Sequence, residues 1–150
     1  MEVATFAEIA DAFRERYTRI VWCTFCTMDT KGRPRTRILH PIWEGLTGYI
    51  TTNRHSLKEK HLAGNPCVSL SYWDSSYEQL YVDARAEWED DLAERARVWE
   101  LYKATPGPLG YDPAIIWKGP DDPVFGLLKL TPWRIELSNN MPNSKVVWRA

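Results

Sequence analysis

Between Gln79 and Trp88 apolar and polar residues alternate with period two. Leu80, Val82, Ala84, Ala86 and Trp88 fall on one face, and Tyr81, Asp83, Arg85 and Glu87 on the other. This pattern predicts a half-buried β-strand. Ile20–Met28, rich in β-branched and aromatic residues, predicts another strand. Asp29-Thr30-Lys31-Gly32 then supplies a polar turn with a glycine for the left-handed position, so Pro34–Trp43 is expected to fold back antiparallel as a hairpin. Glu44–Gly48 turns the chain into a strand at Tyr49–Thr52, and further strands are expected at Cys67–Trp73 and at Val124–Ser138, broken at Pro132.

Three segments carry helical spacing instead. Thr5 with Glu8 has capping-box spacing ahead of the apolar face Phe6, Ile9, Ala10 and Phe13. Ser56 with Glu59 repeats that spacing at the start of a helix ending near Gly64-Asn65-Pro66. Asp90–Ala104 places Leu92, Ala96, Trp99 and Tyr102 on one stripe and stops before Pro106. The stretch Thr105–Pro123, rich in Pro and Gly, is too long for a turn and is expected to be an ordered or partly helical excursion over the surface or a partner subunit. Six or so antiparallel strands with helices at the edges make a mainly β architecture, a small β-barrel with α decoration.

At 150 residues the chain is long enough for one domain and short for two, so residues 1–150 are read as a single domain. Nineteen basic against twenty acidic side chains leave almost no net charge, which gives no support to nucleic acid as a partner. No apolar run approaches a membrane span, and MEVATFAEIADAFRERY carries charges throughout, unlike a signal peptide. A cytoplasmic location without membrane association is the expectation. Eight Trp and seven Tyr suit a flat ligand or an intersubunit surface, although large aromatics also fill cores.

Cys23 and Cys26 spell C-x-x-C, but on a strand residues three apart point in opposite directions and cannot share a metal. No second Cys or His pair stands at zinc-ligand spacing, so no metal site is expected, and Cys67 is expected to be buried.

The segment YITTNRHSLKEKHLAGNP ends a strand in two threonines and opens a helix with lysine in its first turn. Free N–H groups and the positive end of the helix dipole suit an anion there, with Thr51, Thr52, Arg54 and Lys58 positioned to converge on it. In GRPRTRILHPIW, Arg35 and Arg37 share a strand face, and Arg37 is placed to add a guanidinium fork to the same site. The plain alternatives are an ordinary strand, turn and helix, and a solvated arginine pair. His40 is either a structural histidine or a proton donor.

Together GRPRTRILHPIW, YITTNRHSLKEKHLAGNPCVSLSYWD and QLYVDARAEWEDD resemble the FMN-binding split β-barrels of the pyridoxamine 5'-phosphate oxidase-like family. The resemblance spans Ile20 to Asp91, with a weaker echo in LLKLTPWRIEL. It implies a six-stranded antiparallel split barrel and a homodimer holding FMN between its subunits. Position by position, it implies that Arg37, Ile38, Leu39, His40, Pro41 and Ile42 line the flavin. Thr51 and Thr52 would meet phosphate or ribityl, Lys58 the phosphate, and Gln79 the ring or ribityl. Three departures stand out. Leu57-Lys58 replaces the oxidase's Arg-Lys pair, Ile42 replaces a lysine, and the C-terminal Arg-x-His element is missing from Asn143–Ala150. These argue against pyridoxamine phosphate as the substrate.

The expected activity is therefore hydride or electron transfer between FMN and another small molecule, with the cofactor doing the chemistry and the protein orienting it. Related barrels leave two alternatives, a reductase using the deazaflavin coenzyme and a non-catalytic flavin or haem carrier. His40 is the candidate catalytic residue, and Trp43, Tyr72 or Trp133 are candidates to cover the ring.

Overall fold

A computed structural model describes all 150 residues. In chain order it contains β1 (Glu2–Val3), a 3-10 turn (Phe6–Glu8), α1 (Ala10–Ile20), β2 (Cys23–Met28), β3 (Pro34–Leu39), β4 (Ile42–Glu44) and β5 (Thr47–Asn53). There follow α2 (Leu57–Gly64), β6 (Cys67–Trp73), β7 (Glu78–Trp88), α3 (Leu92–Ala104), a second 3-10 turn (Pro113–Ile115), β8 (Phe125–Asn139) and β9 (Val146–Arg149). The nine strands form one sheet in the order β1-β9-β8-β7-β6-β2-β3, with β5 paired to β8 and β4 to β5. Every pairing is antiparallel except the parallel pair β1 and β9.

The architecture is mainly β, as expected, and the long strands match the predicted ones. The β1, β4 and β9 strands are too short to carry a sequence pattern. In β7, Leu80, Val82, Ala84 and Ala86 are at most 2% exposed, so the period-two alternation sets the buried face. The same rule corrects Cys67: in β6, Val68, Leu70 and Tyr72 point inward, which turns Cys67 outward and leaves it exposed. Cys23 is buried and Cys26 half-buried on the opposite face of β2.

Pro34–Trp43 is not one strand. It divides at His40-Pro41, because β3 pairs with β2 while β4 leaves to pair with β5. His40 thus sits where the chain passes between two arms of the sheet. Pro132 does not end β8 either. A register shift against β7 at Asp83/Ala84 absorbs Trp133 as an extra residue, a bulge that lets a proline stand inside a fifteen-residue strand.

Two apolar clusters hold these elements. One fills the barrel with Phe25, Leu70, Tyr72, Leu80, Val82 and Ile135 among others. The second packs α3 and the segment after it against β5 and β8, through Val98, Trp99, Tyr102, Leu109, Trp117 and Phe125. Leu92, expected on the buried stripe of α3, is 61% exposed, and Arg95 takes the inward place. Its guanidinium donates to the carbonyls of Asp122 and Phe125 at 3.0 and 2.9 Å and lies over the Phe125 ring. No helix is long and apolar enough to cross a membrane.

Candidate functional site

Arg37 and Leu39 are alternate residues of β3 and so share a face. From that face the Arg37 guanidinium donates to Thr27 Oγ1 at 2.8 Å. The buried Thr27 hydroxyl has accepted that bond, so its own proton is free for His61 Nδ1, 2.9 Å away. His61 belongs to the inward face of α2, which comprises Lys58, His61 and Leu62, spaced as neighbours on one side of a helix. Lys58 is the only buried lysine, 8% exposed. Its pKa is lowered first by burial and then by the Arg37 charge beside it. The Arg37 pKa is also lowered, chiefly by burial. The structure thus holds two desolvated cations side by side, with no carboxylate paired to either.

The helix that presents Lys58 begins as expected at Ser56, but without the capping box. Ser56 has extended backbone and its hydroxyl makes no cap bond; Oγ is buried and has no partner. Glu59 turns away to Arg54 at 2.7 Å. Arg54, expected to join the anion site, is held instead by Glu59 and Asp90 and lies 4.5 Å over the Trp88 ring. By contrast, the Thr5/Glu8 box is present: the Glu8 carboxylate accepts from the Thr5 N–H at 2.7 Å and its hydroxyl at 3.0 Å.

Beyond Leu39, a cavity of about 480 Å³ opens between the β3–β4 crossing, the end of β5 and the segment after α3. Leu39, His40, Thr51 and Thr52 form its floor, while Trp22, Tyr111, Ile115, Ile116 and Trp117 form a wall. Thr51 and Asn53 are alternate residues of β5 and face that wall: Thr51 Oγ1 lies 2.5 Å from Tyr111 OH, and Trp117 Nε1 donates to Asn53 Oδ1 at 3.0 Å. The His40 ring is packed edge-on against Trp22 and Tyr111, at 4.4 and 5.6 Å between centroids. Burial lowers the His40 pKa, a hydrogen bond with the Leu109 backbone partly offsetting it, and Nε2 is buried without a partner.

The structure therefore brings Arg37 and Lys58 together, and separately gathers Leu39, His40, Thr51 and Thr52 around the cavity. Ile38 points outward and is 60% exposed, Pro41 is buried, and Ile42 is buried in the second apolar cluster. Gln79 lies elsewhere, on the outward face of β7. Its amide donates to Asn140 at 2.6 Å beside a separate polar cavity of about 550 Å³ that includes Tyr81, Glu136 and Ser138. Trp43 and Tyr72 are bonded to one another inside the barrel, and Trp133 is the bulge residue, so none of the three covers the cavity. The wall aromatics take that place. For Tyr111 and Trp117 the signal in the sequence was only the length and composition of the Thr105–Pro123 loop, and Trp22 carried none.

The chain is thus a split-barrel protein with a pair of neighbouring cations, Arg37 and Lys58, and an aromatic cavity lined by Leu39 and His40 farther along the same segment. Its sequence matches the family model described as pyridoxamine 5'-phosphate oxidase over residues 9–139, and the protein belongs to that family. No curated protein matches the sequence. Among solved structures, it is similar to a protein of the pyridoxinephosphate oxidase family related to general stress protein 26, from Clostridium acetobutylicum. Identity is 18% over 95% of this chain and 94% of that one, with a TM-score of 0.76. A pyridoxamine 5'-phosphate oxidase-related, FMN-binding protein from Nostoc punctiforme is 17% identical over 95% and 88% of the two chains, with a TM-score of 0.66. An F420 reductase is 21% identical over 81% and 94%, with a TM-score of 0.62. At these identities the likeness is one of fold.

Proposed function

We propose that the protein is an FMN-binding oxidoreductase that transfers a hydride or electrons to a small molecule other than pyridoxamine phosphate. The observation that carries this reading is the Arg37–Lys58 pair. An unpaired buried charge is costly, and this pair, with the partnerless Ser56 hydroxyl at the head of α2, suits the oxygens of a phosphate. Family membership and the FMN-binding relative of the same fold support the choice of ligand. The residues fit the group: Arg37, Lys58 and Ser56 would hold the phosphate, Thr52 the chain that follows it, and Leu39 and His40 the ring.

When bound, FMN supplies the hydride or electron chemistry. The protein's own part is to bind, orient and exclude water. His40, buried and neutral, offers an Nε2 lone pair to a proton on a bound molecule. Gln79 points away from Arg37 and Lys58 of its own chain, so its contribution would come from a second copy in a homodimer. A deazaflavin-dependent reductase is the second reading. It is favoured by the two positions where the oxidase pattern places basic residues, since here Leu57 is exposed and Ile42 buried. The visible spectrum and mass of the copurified cofactor separate the two.

Replacing Arg37 and Lys58 together by alanine is expected to abolish FMN retention, a loss of roughly 3–6 kcal/mol for two charge-assisted bonds, with the circular dichroism spectrum preserved. Undiminished FMN binding contradicts the assignment. His40→Asn is expected to slow turnover by about 100-fold while leaving the bound-flavin spectrum intact; loss of flavin instead gives His40 a binding role alone.

A further inference from the structure

The cations of the site do not line the cavity. The eleven residues lining the 480 Å³ cavity include no Asp, Glu, Lys or Arg. A substrate phosphate or carboxylate placed there would find no counter-charge and would lose its hydration, which disfavours charged molecules. The wall is aromatic and aliphatic, and it is fixed in position. Tyr111 is tied to Thr51 and Trp117 to Asn53, and Gly110 packs so tightly that a β-carbon would fall 1.8 Å from the Thr105 carbonyl oxygen.

Trp22 is held out on the opposite side. It follows Val21, a buried β-branched residue at φ 67°, a conformation costly for valine, which swings the chain out of α1 and leaves the indole 54% exposed. Ile115 and Ile116 complete the rim at 76% and 60% exposure. These apolar groups form a continuous open surface above a cavity rather than scattered exposures. Among the lining residues, the buried side-chain polar atom without a partner is His40 Nε2, on a ring packed between Trp22 and Tyr111.

We infer that Trp22, Tyr111, Ile115, Ile116 and Trp117 form the substrate-selecting wall, and that it takes an uncharged, planar aromatic molecule carrying an O–H or N–H for His40 Nε2. This inference rests on the flavin reading, in which the floor residues face the cofactor ring and leave the wall to the substrate. Planar rings fill an aromatic slot with little loss of conformational freedom, and the neutral donor meets the unpartnered His40 nitrogen. Phosphorylated substrates are excluded because Arg37 and Lys58 are committed to the flavin phosphate.

The experiment is a titration of the FMN-loaded protein with 2-naphthol and, separately, with naphthalene and 2-naphthoate, following the flavin visible band and tryptophan fluorescence. Saturable 2-naphthol binding is expected, with 2-naphthoate and naphthalene each at least about tenfold weaker. Ile116→Lys, at an exposed position, is expected to weaken 2-naphthol by about tenfold or more while FMN affinity stays within about twofold. Equal binding of 2-naphthoate overturns the inference. So does parallel loss of FMN in Ile116→Lys, which would assign the wall to the flavin ring. Failure of the unaltered protein to take up FMN overturns the flavin reading separately. Fluorescence titration of the flavin-free protein then decides the wall: saturation by 2-naphthol with rejection of 2-naphthoate upholds it, and its absence rejects it.

Discussion

Two clusters of charge on this protein are built in opposite ways. At the surface junction of β4, β5 and α3, Arg97 is paired twice over, 2.8 Å from both Glu44 and Glu94, and its guanidinium also meets Tyr49 OH at 3.2 Å. The hydrogen bonds from Arg97, then from Tyr49, hold the Glu94 carboxyl down at about 2. Where β3 meets the head of α2, Lys58 is buried and Arg37 half-buried, and neither is paired with an acid. Folding stability alone favours the reverse, since exposed ions need little help from a partner and buried ones need much. The contrast teaches that the Arg37–Lys58 cluster is not arranged as a protein ion pair, and it supports the proposal that the two cations serve an anionic ligand.

The contrast breaks most sharply if the buried cluster is given an acid of its own. Lys58→Glu places a carboxylate against Arg37 and repels a phosphate. FMN affinity is expected to fall by about a thousandfold or more, roughly 4 kcal/mol. The melting temperature of the flavin-free protein is expected to hold or rise. A lower melting temperature with FMN binding unchanged would show that the cluster serves the fold.

A pH series gives a smaller effect with a definite sign. Lys58 has a folded pKa below its ordinary 10.5, so in alkaline solution the folded protein sheds this proton before the unfolded chain does. Stability of the flavin-free protein is therefore expected to rise as pH climbs through the folded value toward the ordinary one. FMN affinity is expected to fall over the same window, because the anion needs the ammonium. Calorimetric titration at a series of alkaline pH values checks this, and a flat affinity across the window speaks against Lys58 as a ligand.

The smallest effect belongs to the paired cluster. Arg97→Ala is expected to cost under about 1 kcal/mol and to leave FMN binding unchanged. The Glu94 contribution, present above its ordinary 4.5 and lost as pH falls toward about 2, is expected to shrink with it. An acid titration of the melting temperature reads both.

Most of the fold was legible in the sequence, because its long elements carry their own periodicity: β7 in the alternation from Leu80 to Trp88, α3 in helical spacing, and the hairpin turn in Gly32 at φ 73°. What could not be read was decided by contacts distant along the chain. Leu92 and Arg95 compete for the inner face of α3, and only the carbonyls of Asp122 and Phe125 show why the arginine wins. Glu59 had the right spacing to close a capping box, but Arg54 reaches it first. At the site, Arg37 and Lys58 were visible as charges at suggestive places. The cavity wall was not, since Trp22 and Trp117 lie almost a hundred residues apart and share no pattern.

One strand has a consequence for how such a site comes to exist. Along one edge, β8 pairs with β5 from Phe125 to Leu130 and with β9 from Arg134 to Leu137. Between these two spans stand Pro132, which has no amide proton to offer a neighbour, and the extra residue Trp133. The seam in the barrel is therefore written into a single strand that exchanges companions partway along its length. The arm made of β4 and β5 parts there from the one that continues to β9, so the sheet branches where a seamless cylinder would have run on.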